Sequence, residues 1–483
     1  MEESQFQYDF EKIVYPSLSN IKSLRKENAY KIIDKKKDLE LTCTVKNNDD
    51  DLFICQIYLD TPIINMDDLR KQVFDENQNL TLLKIGQIYM INYNSIINAN
   101  FTFDAPQIFK LQIKKFHSGQ LEEFNNKFHR LIIPIEKDFS FDVFSSKILK
   151  IEDVIVFNGL IEVYINENQF HIFKHEDNNL NQKYLIIESQ TKLDFSDFKS
   201  TCDSIIIGIG FLTGSLIQNK NFYQTSNELN FTEIENTYFE KKNPNIFRKN
   251  YIINPTDFRY YIKNIGVEEK YKKYCNPIST EIFSQLVFTI KTNSVYARCC
   301  KLVIEAELIK NQHVLKAGVL SIALETLTTL ISNNNKESIK VITNKETEKS
   351  LKKELLSVLE KYKNKDLPEE SLRILVSKIN EINRPTNSKK LSYPFDLYNI
   401  KLNKLDKEIL NHRNKFLHGT SPFEENELEE KETDLLIIIG HLSFMVDSLI
   451  LKYIGYHGHI AFSPSFIQNR KKIEVSDHFF KII

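Results

Sequence analysis

Hydrophobic and polar positions divide the chain into two halves with different periods. In the first half, short runs alternate or carry β-branched and aromatic residues, at 39–45, 52–59, 87–93, 108–114, 130–135, 154–164 and 184–188. Asn/Asp clusters at 47–51 and 176–181 separate them as turns. This spacing predicts one or two antiparallel sandwiches. Residues 195–213 break the pattern. An apolar stretch of helical length ends there at Thr213-Gly214.

The second half follows the helical period. Helices are predicted over 278–290, 296–310, 314–332, 350–361, 372–380, 400–418 and 424–453. Leu315, Val319, Ile322, Leu324, Leu327 and Leu330 give the third a broad apolar face. Pro385 and Pro394 are expected to bracket a loop. The fold class expected is therefore α+β. A β-rich, sandwich-like region over 1–290 precedes an all-α bundle over 291–483.

Composition changes this picture little. The 483 residues carry a formal net charge of −1, so a nucleic-acid partner would need a local basic patch. The start, Met1-Glu2-Glu3-Ser4, has neither a basic n-region nor an apolar h-region, and a cytoplasmic location is expected. Cys43, Cys55, Cys202, Cys275, Cys299 and Cys300 form no Cys-x-x-Cys pair and are expected to be buried free thiols. The apolar run 435–454 contains Asp447 and Lys452, both costly in a spanning helix. No membrane partner is expected. The run should instead be buried in a bundle or at a subunit interface.

The candidate chemistry is concentrated in Arg413-Asn414-Lys415-Phe416-Leu417-His418, followed by Gly419. Leu402, Leu405, Ile409 and Phe416 recur at helical spacing, and Gly419 supplies a stop. Arginine is a permanent cation whose planar fork matches phosphate oxygens. Histidine moves a proton near neutral pH. Asn414 can orient either one. The plainer alternative is that both cations only complement the helix dipole. On one helix Arg413 and His418 stand about 140° apart around the axis and roughly 7.5 Å apart along it. Asn414 and His418 are i, i+4 neighbours. Two copies across a two-fold axis would focus Arg and His more readily than one.

Arg-Asn-x-x-x-His-Gly ending a helix of a late helical domain resembles the HEPN superfamily of ribonucleases, most closely the Apea-like branch of prokaryotic anti-phage proteins. The resemblance implies a metal-independent RNA endonuclease acting in abortive infection as a toxin. Its catalytic set would be Arg413, Asn414 and His418, without cofactor or metal. Lys415 and His412 adjoin the set as substrate-binding candidates, His412 alternatively packing on the flank. The implied partners are an RNA substrate, a second copy in a homodimer or higher homo-oligomer, and a phage-derived trigger bound by the N-terminal region. Loss of activity would leave a non-catalytic dimerisation or nucleotide- or RNA-binding module beside a β-rich ligand-binding domain.

Four other features carry less chemistry. His457-Gly458-His459 lacks a nearby carboxylate or thiol cluster and is expected in a surface loop. His117 and His129-Arg130 are expected near strand ends, as structural or sensor-surface residues. Asp60 and Glu188 form no metal-nuclease signature. Glu325, in an apolar stretch, either orients Arg413 or Lys415 or lies on a solvated flank.

Overall fold

The structure is a computed structural model. It describes residues 2–483 except 34–39, 48–51, 60–66, 68–70, 72, 76–78, 85–86, 103–106, 138, 140, 146, 152–153, 178–180, 248–276, 363–366, 425–426, 428–429 and 476–477. Asp60, Cys275 and much of the two Asn/Asp turn clusters therefore lie outside the described residues. The chain divides into two compact units, Met1–Thr292 and Asn293–Ile483.

The N-terminal unit opens with helix α1 (Glu2–Arg25). Its strands are β1 (Asn28–Ile33), β2 (Glu40–Asn47), β3 (Phe53–Leu59), β4 (Asn79–Lys84), β5 (Gln87–Asn92), β6 (Ile96–Phe101), β7 (Gln107–Ile113), β8 (Lys115–Ser118), β9 (Phe128–Ile135), β10 (Lys147–Ile151), β11 (Val154–Ile165), β12 (Asn168–Asp177) and β13 (Gln182–Ser189). Helix α2 (Phe195–Thr213) and the two-residue β14 (Ser215–Leu216) lead to β15 (Lys220–Ser226), β16 (Asn236–Lys241) and β17 (Ile246–Phe247), and α3 (Thr280–Thr292) closes the unit.

Fifteen strands form one ladder in the order β10-β11-β12-β13-β9-β15-β16-β8-β5-β4-β1-β2-β3-β7-β6. The expected sandwich is thus a single sheet that curls over its own core. Strand β3 stands five ladder steps from β8, about 24 Å along a flat sheet. Yet the Phe53 ring of β3 lies 4.8 Å from Phe116 of β8 and 4.7 Å from Phe239 of β16. A ladder this long must curl or split to bury its apolar face.

Strand β9 shows why the centre of the ladder is buried on both faces. Arg130 reaches α1, donating from Nη1 to Ser17 Oγ at 2.6 Å and from Nε to Glu188 Oε1 at 2.7 Å. The next side chain back, His129, faces α2, with its ring 4.9 Å from Phe198. Its Nε2 lies 2.9 Å from the Leu193 carbonyl, so Nε2 carries the hydrogen. Gly208 lets α2 approach α3, since a Cβ there would stand 3.1 Å from Phe283.

The C-terminal unit is helical: α4 (Ser294–Glu305), α5 (His313–Asn334), α6 (Lys345–Glu360), α7 (Glu369–Asn380), α8 (Asn387–Leu397), α9 (Lys404–Leu417), α10 (Glu432–Tyr453) and α11 (Ser463–Arg470). Strands β18 (His459–Ala461) and β19 (Phe480–Ile482) pair beside them. Helix α5 is the hub, packed against α4, α8, α9 and α10. Its Leu320, Leu324, Leu327 and Ile331 are fully buried, each contributing about 1.5–3 kcal/mol of transfer free energy. By length and composition α5 and α10 are each apolar enough to cross a membrane; 78% of the apolar window of α10 is buried. Residues from Ile439 to Lys452 are all covered within the chain, so this run is not left open as a subunit interface.

Two expectations change here. The stretch between Pro385 and Pro394 is helix α8 rather than a loop. Thr386 Oγ1 caps it by accepting from the Lys389 N–H at 3.2 Å. Pro394 cannot donate to the Lys390 carbonyl four residues back, and the Ser332 hydroxyl donates to that carbonyl instead at 3.1 Å. His459, expected in a surface loop, lies in β18 opposite Ile482.

Candidate functional site

Helix α9 carries the motif, and both of its ends are fixed. At the start, Asn403 Oδ1 accepts from the Asp406 N–H and Asp406 Oδ2 accepts from the Asn403 N–H, each at 2.8 Å. This reciprocal box satisfies two of the donors that a helix start leaves unpaired. The other carboxylate oxygen of Asp406 stands 2.6 Å from His441 Nδ1 on α10. A carboxylate oxygen only accepts, so Nδ1 donates. Asp406 is fully buried and His441 nearly so, its ring edge-on to Phe462 with the ring centres 5.2 Å apart. One aspartate thereby caps the motif helix and ties it to the most buried helix of the unit.

At the other end, Gly419 has φ +72°. The Thr420 N–H donates to the Lys415 carbonyl at 2.9 Å and the Gly419 N–H to Phe416 at 3.0 Å. This is the left-handed terminating turn that glycine favours. It holds His418 at the helix cap, where the His418 N–H donates to the Asn414 carbonyl at 3.1 Å. Gly318 of α5 lies under the same turn; a Cβ there would stand 3.0 Å from the Phe416 carbonyl oxygen.

The motif side chains face two ways. Arg413 is only 6% exposed. Its Nη1 donates to the Leu410 carbonyl at 3.3 Å, and among the described residues its Nε meets no acceptor. Burial lowers the pKa of the guanidinium below its usual value, and the nearby Glu325 carboxylate partly offsets this. Glu325 itself is exposed on α5, so the structure brings Arg413 and Glu325 into one electrostatic neighbourhood. Asn414, Lys415 and His418 are exposed. So is His412, which does not pack on the flank. Arg413 is thus turned inward while the other four lie at the surface.

Beside the helix end opens a cleft of about 760 Å³ lined by His313, Leu315, Phe416, Gly419, Glu432 and Leu435, among others. His313 Nε2 and Glu432 Oε1 lie 3.2 Å apart in it. Neither this pair nor Asp406–His441 was foreseen from the sequence. Each joins helices far apart in the chain, and no local spacing marks them. The remaining candidates have structural partners. Glu188 is held by Arg130, and the Lys452 ammonium stands 2.9 Å from His457 Nδ1. Among the described residues no three His, Cys, Asp or Glu side chains group as metal ligands.

The chain matches no protein-family model, no curated protein and no solved structure.

Proposed function

We propose that the C-terminal unit is a metal-independent endoribonuclease of the HEPN type, acting in anti-phage defence. One observation carries the proposal. A desolvated guanidinium with an uncommitted Nε lies in the last turns of a helix whose rigid cap presents an exposed histidine. A buried cation with an unpaired donor is costly, and a phosphate is the group that would complete it.

The chemistry follows from these groups. The ribose 2′-hydroxyl attacks the adjacent phosphorus, a P–O bond forms, and the bond to the 5′-oxygen breaks. His418 takes the hydroxyl proton or returns one to the leaving oxygen. Arg413 stabilises charge on the pentacoordinate transition state. Asn414 holds the phosphate or the imidazole, and Lys415 and His412 contact the flanking backbone. The nucleophile is in the substrate, so the scheme requires ribose at the cut site.

A second copy is part of the proposal, because the inward Arg413 and outward His418 of one helix serve different faces. Leu315 and Ile322, 52% and 40% exposed on the helix packed against α9, offer the apolar surface for that copy. Burial of Arg413 favours a second reading, a non-catalytic bundle in which the arginine only supports packing. The two readings separate on one substrate pair. An RNA oligonucleotide should be cut, and the same strand with a single 2′-deoxyribose at the cut site should resist. Efficient cutting of an all-DNA strand contradicts the scheme.

A further inference from the structure

The N-terminal unit holds a recess that the motif chemistry does not use. Strands β5 and β8 pair over only two positions, Tyr89 with Ser118 and Met90 with His117, and then part. Side chains alternate along a strand. Tyr89, Ile91, Phe116 and Phe239 therefore turn into the core. Met90, Asn92, Lys115, His117, Tyr238 and Glu240 share the opposite face, in register across β5, β8 and β16. Helix α2 covers part of that face: its Lys199 ammonium lies 4.6 Å from the centre of the Tyr238 ring and its Phe195 ring 5.2 Å from it, so Tyr238 and Glu240 are each under a tenth exposed, as is Met90. The space above them is about 460 Å³, within the range of small-molecule sites.

The lining has a definite chemistry. Lys115 and Lys199 each stand 2.6 Å from Glu240, so that carboxylate is already neutralised. Burial acts to raise its pKa, but the two ammonium groups hold it below the usual glutamate value. Lys114 also lines the recess, and among the described residues its ammonium has no partner. The same holds for the side-chain amide of Asn94, whose hydrogen bond to Asn92 uses only its backbone N–H. His117 Nδ1 lies 3.0 Å from the Gly119 carbonyl and donates to it, which leaves Nε2 as an acceptor. The His117 and Tyr238 rings are stacked, their centroids 6.2 Å apart and their planes 15° from parallel.

An uncommitted ammonium, a free amide and a neutral imidazole acceptor match a phosphate attached to a ring with hydrogen-bonding edges. We propose that this recess binds a mononucleotide. Its phosphate meets Lys114. Its base lies against the half-buried His117 imidazole, whose Nε2 accepts from a base N–H. Asn94 and Gln120 reach the base or ribose edges.

Isothermal titration calorimetry of the full chain tests this, using AMP, GMP, CMP, UMP, ribose 5-phosphate and inorganic phosphate. At least one mononucleotide should bind, with ribose 5-phosphate and inorganic phosphate weaker by about tenfold or more. Lys114→Ala should weaken the mononucleotide about tenfold and Asn94→Ala by a smaller factor, with melting temperatures unchanged. His418→Ala, in the other unit, should leave the binding heat as it is. Absence of heat from all four mononucleotides at millimolar concentration overturns the proposal. So does inorganic phosphate binding as tightly as the nucleotides. So does nucleotide binding that survives both Lys114→Ala and Asn94→Ala, or that disappears in His418→Ala.

Discussion

Replacing Asp406 by alanine removes a carboxylate that serves a buried and a part-buried donor at once. The Asn403 N–H loses its acceptor at 2.8 Å, and His441 Nδ1–H loses its acceptor at 2.6 Å. A buried donor left unpaired costs about 1–3 kcal/mol and a lost helix cap about 0.5–2 kcal/mol, so the two together cost about 1.5–5 kcal/mol. For a unit of this size each kcal/mol lowers the melting temperature by roughly 2–4 °C, which puts the expected drop near 10 °C. Asp406→Asn should fall between. Its amide oxygen can accept from one donor, but its NH₂ then faces the other. The assay is calorimetric melting of the full chain, paired with hydrogen exchange of the amides of Lys404–Leu417. Protection there should fall in Asp406→Ala, because the helix has lost both its cap and its tie to α10. If Asp406→Ala melts within 2 °C of wild type, near the low end of the same scale, the pair does not anchor the motif helix and the reasoning fails.

Two further predictions concern pH and assembly. Burial holds the pKa of His129 down to about 4 from an ordinary 6.5. Between those values the unfolded chain binds a proton that the native state refuses, so stability is full above pH 6.5 and falls on acidification toward pH 4. At about 1.4 kcal/mol per pH unit this one group accounts for roughly 3 kcal/mol. Urea midpoints at pH 7 and 4.5 should differ less in His129→Gln, and an unchanged difference would contradict the assignment. For assembly, light scattering should give at least a dimer mass for wild type and a lower mass for Ile322→Asp, with cleavage lost in step. Full activity from a wild type that stays monomeric at assay concentration would refute the paired site.

What the sequence disclosed and what it concealed divide along the range of the interactions. Helix α9 and its glycine stop were visible because periodicity and Gly419 both act within a turn or two. The buried state of Arg413 was not visible. It depends on α5 lying close at Gly318, which lies nearly a hundred positions away. Strand β15 was missed because Lys220-Asn221-Phe222-Tyr223-Gln224-Thr225-Ser226 is mostly polar, yet all seven residues are buried. Gln224 Nε2 donates to the Ser17 carbonyl of α1 at 3.0 Å, an interaction across 207 positions of the chain. The curl of the sheet was equally hidden. Alternation gives the faces of strands, but it does not say that β3 returns to meet β8 and β16. Helix α8 formed against the proline rule because a distant hydroxyl, Ser332, took over the carbonyl that Pro394 releases.

The most direct measurement of the central claim is cleavage of a labelled RNA by wild type, Arg413→Ala and His418→Ala, each checked for folding, in buffer containing EDTA. Wild type should cut and leave a 2′,3′-cyclic phosphate and a 5′-hydroxyl. Both variants should lose about 10²-fold or more, the range expected on removing a proton-transfer group or a charge-stabilising donor. Cleavage that EDTA abolishes, or that His418→Ala retains at the wild-type rate, would contradict the account.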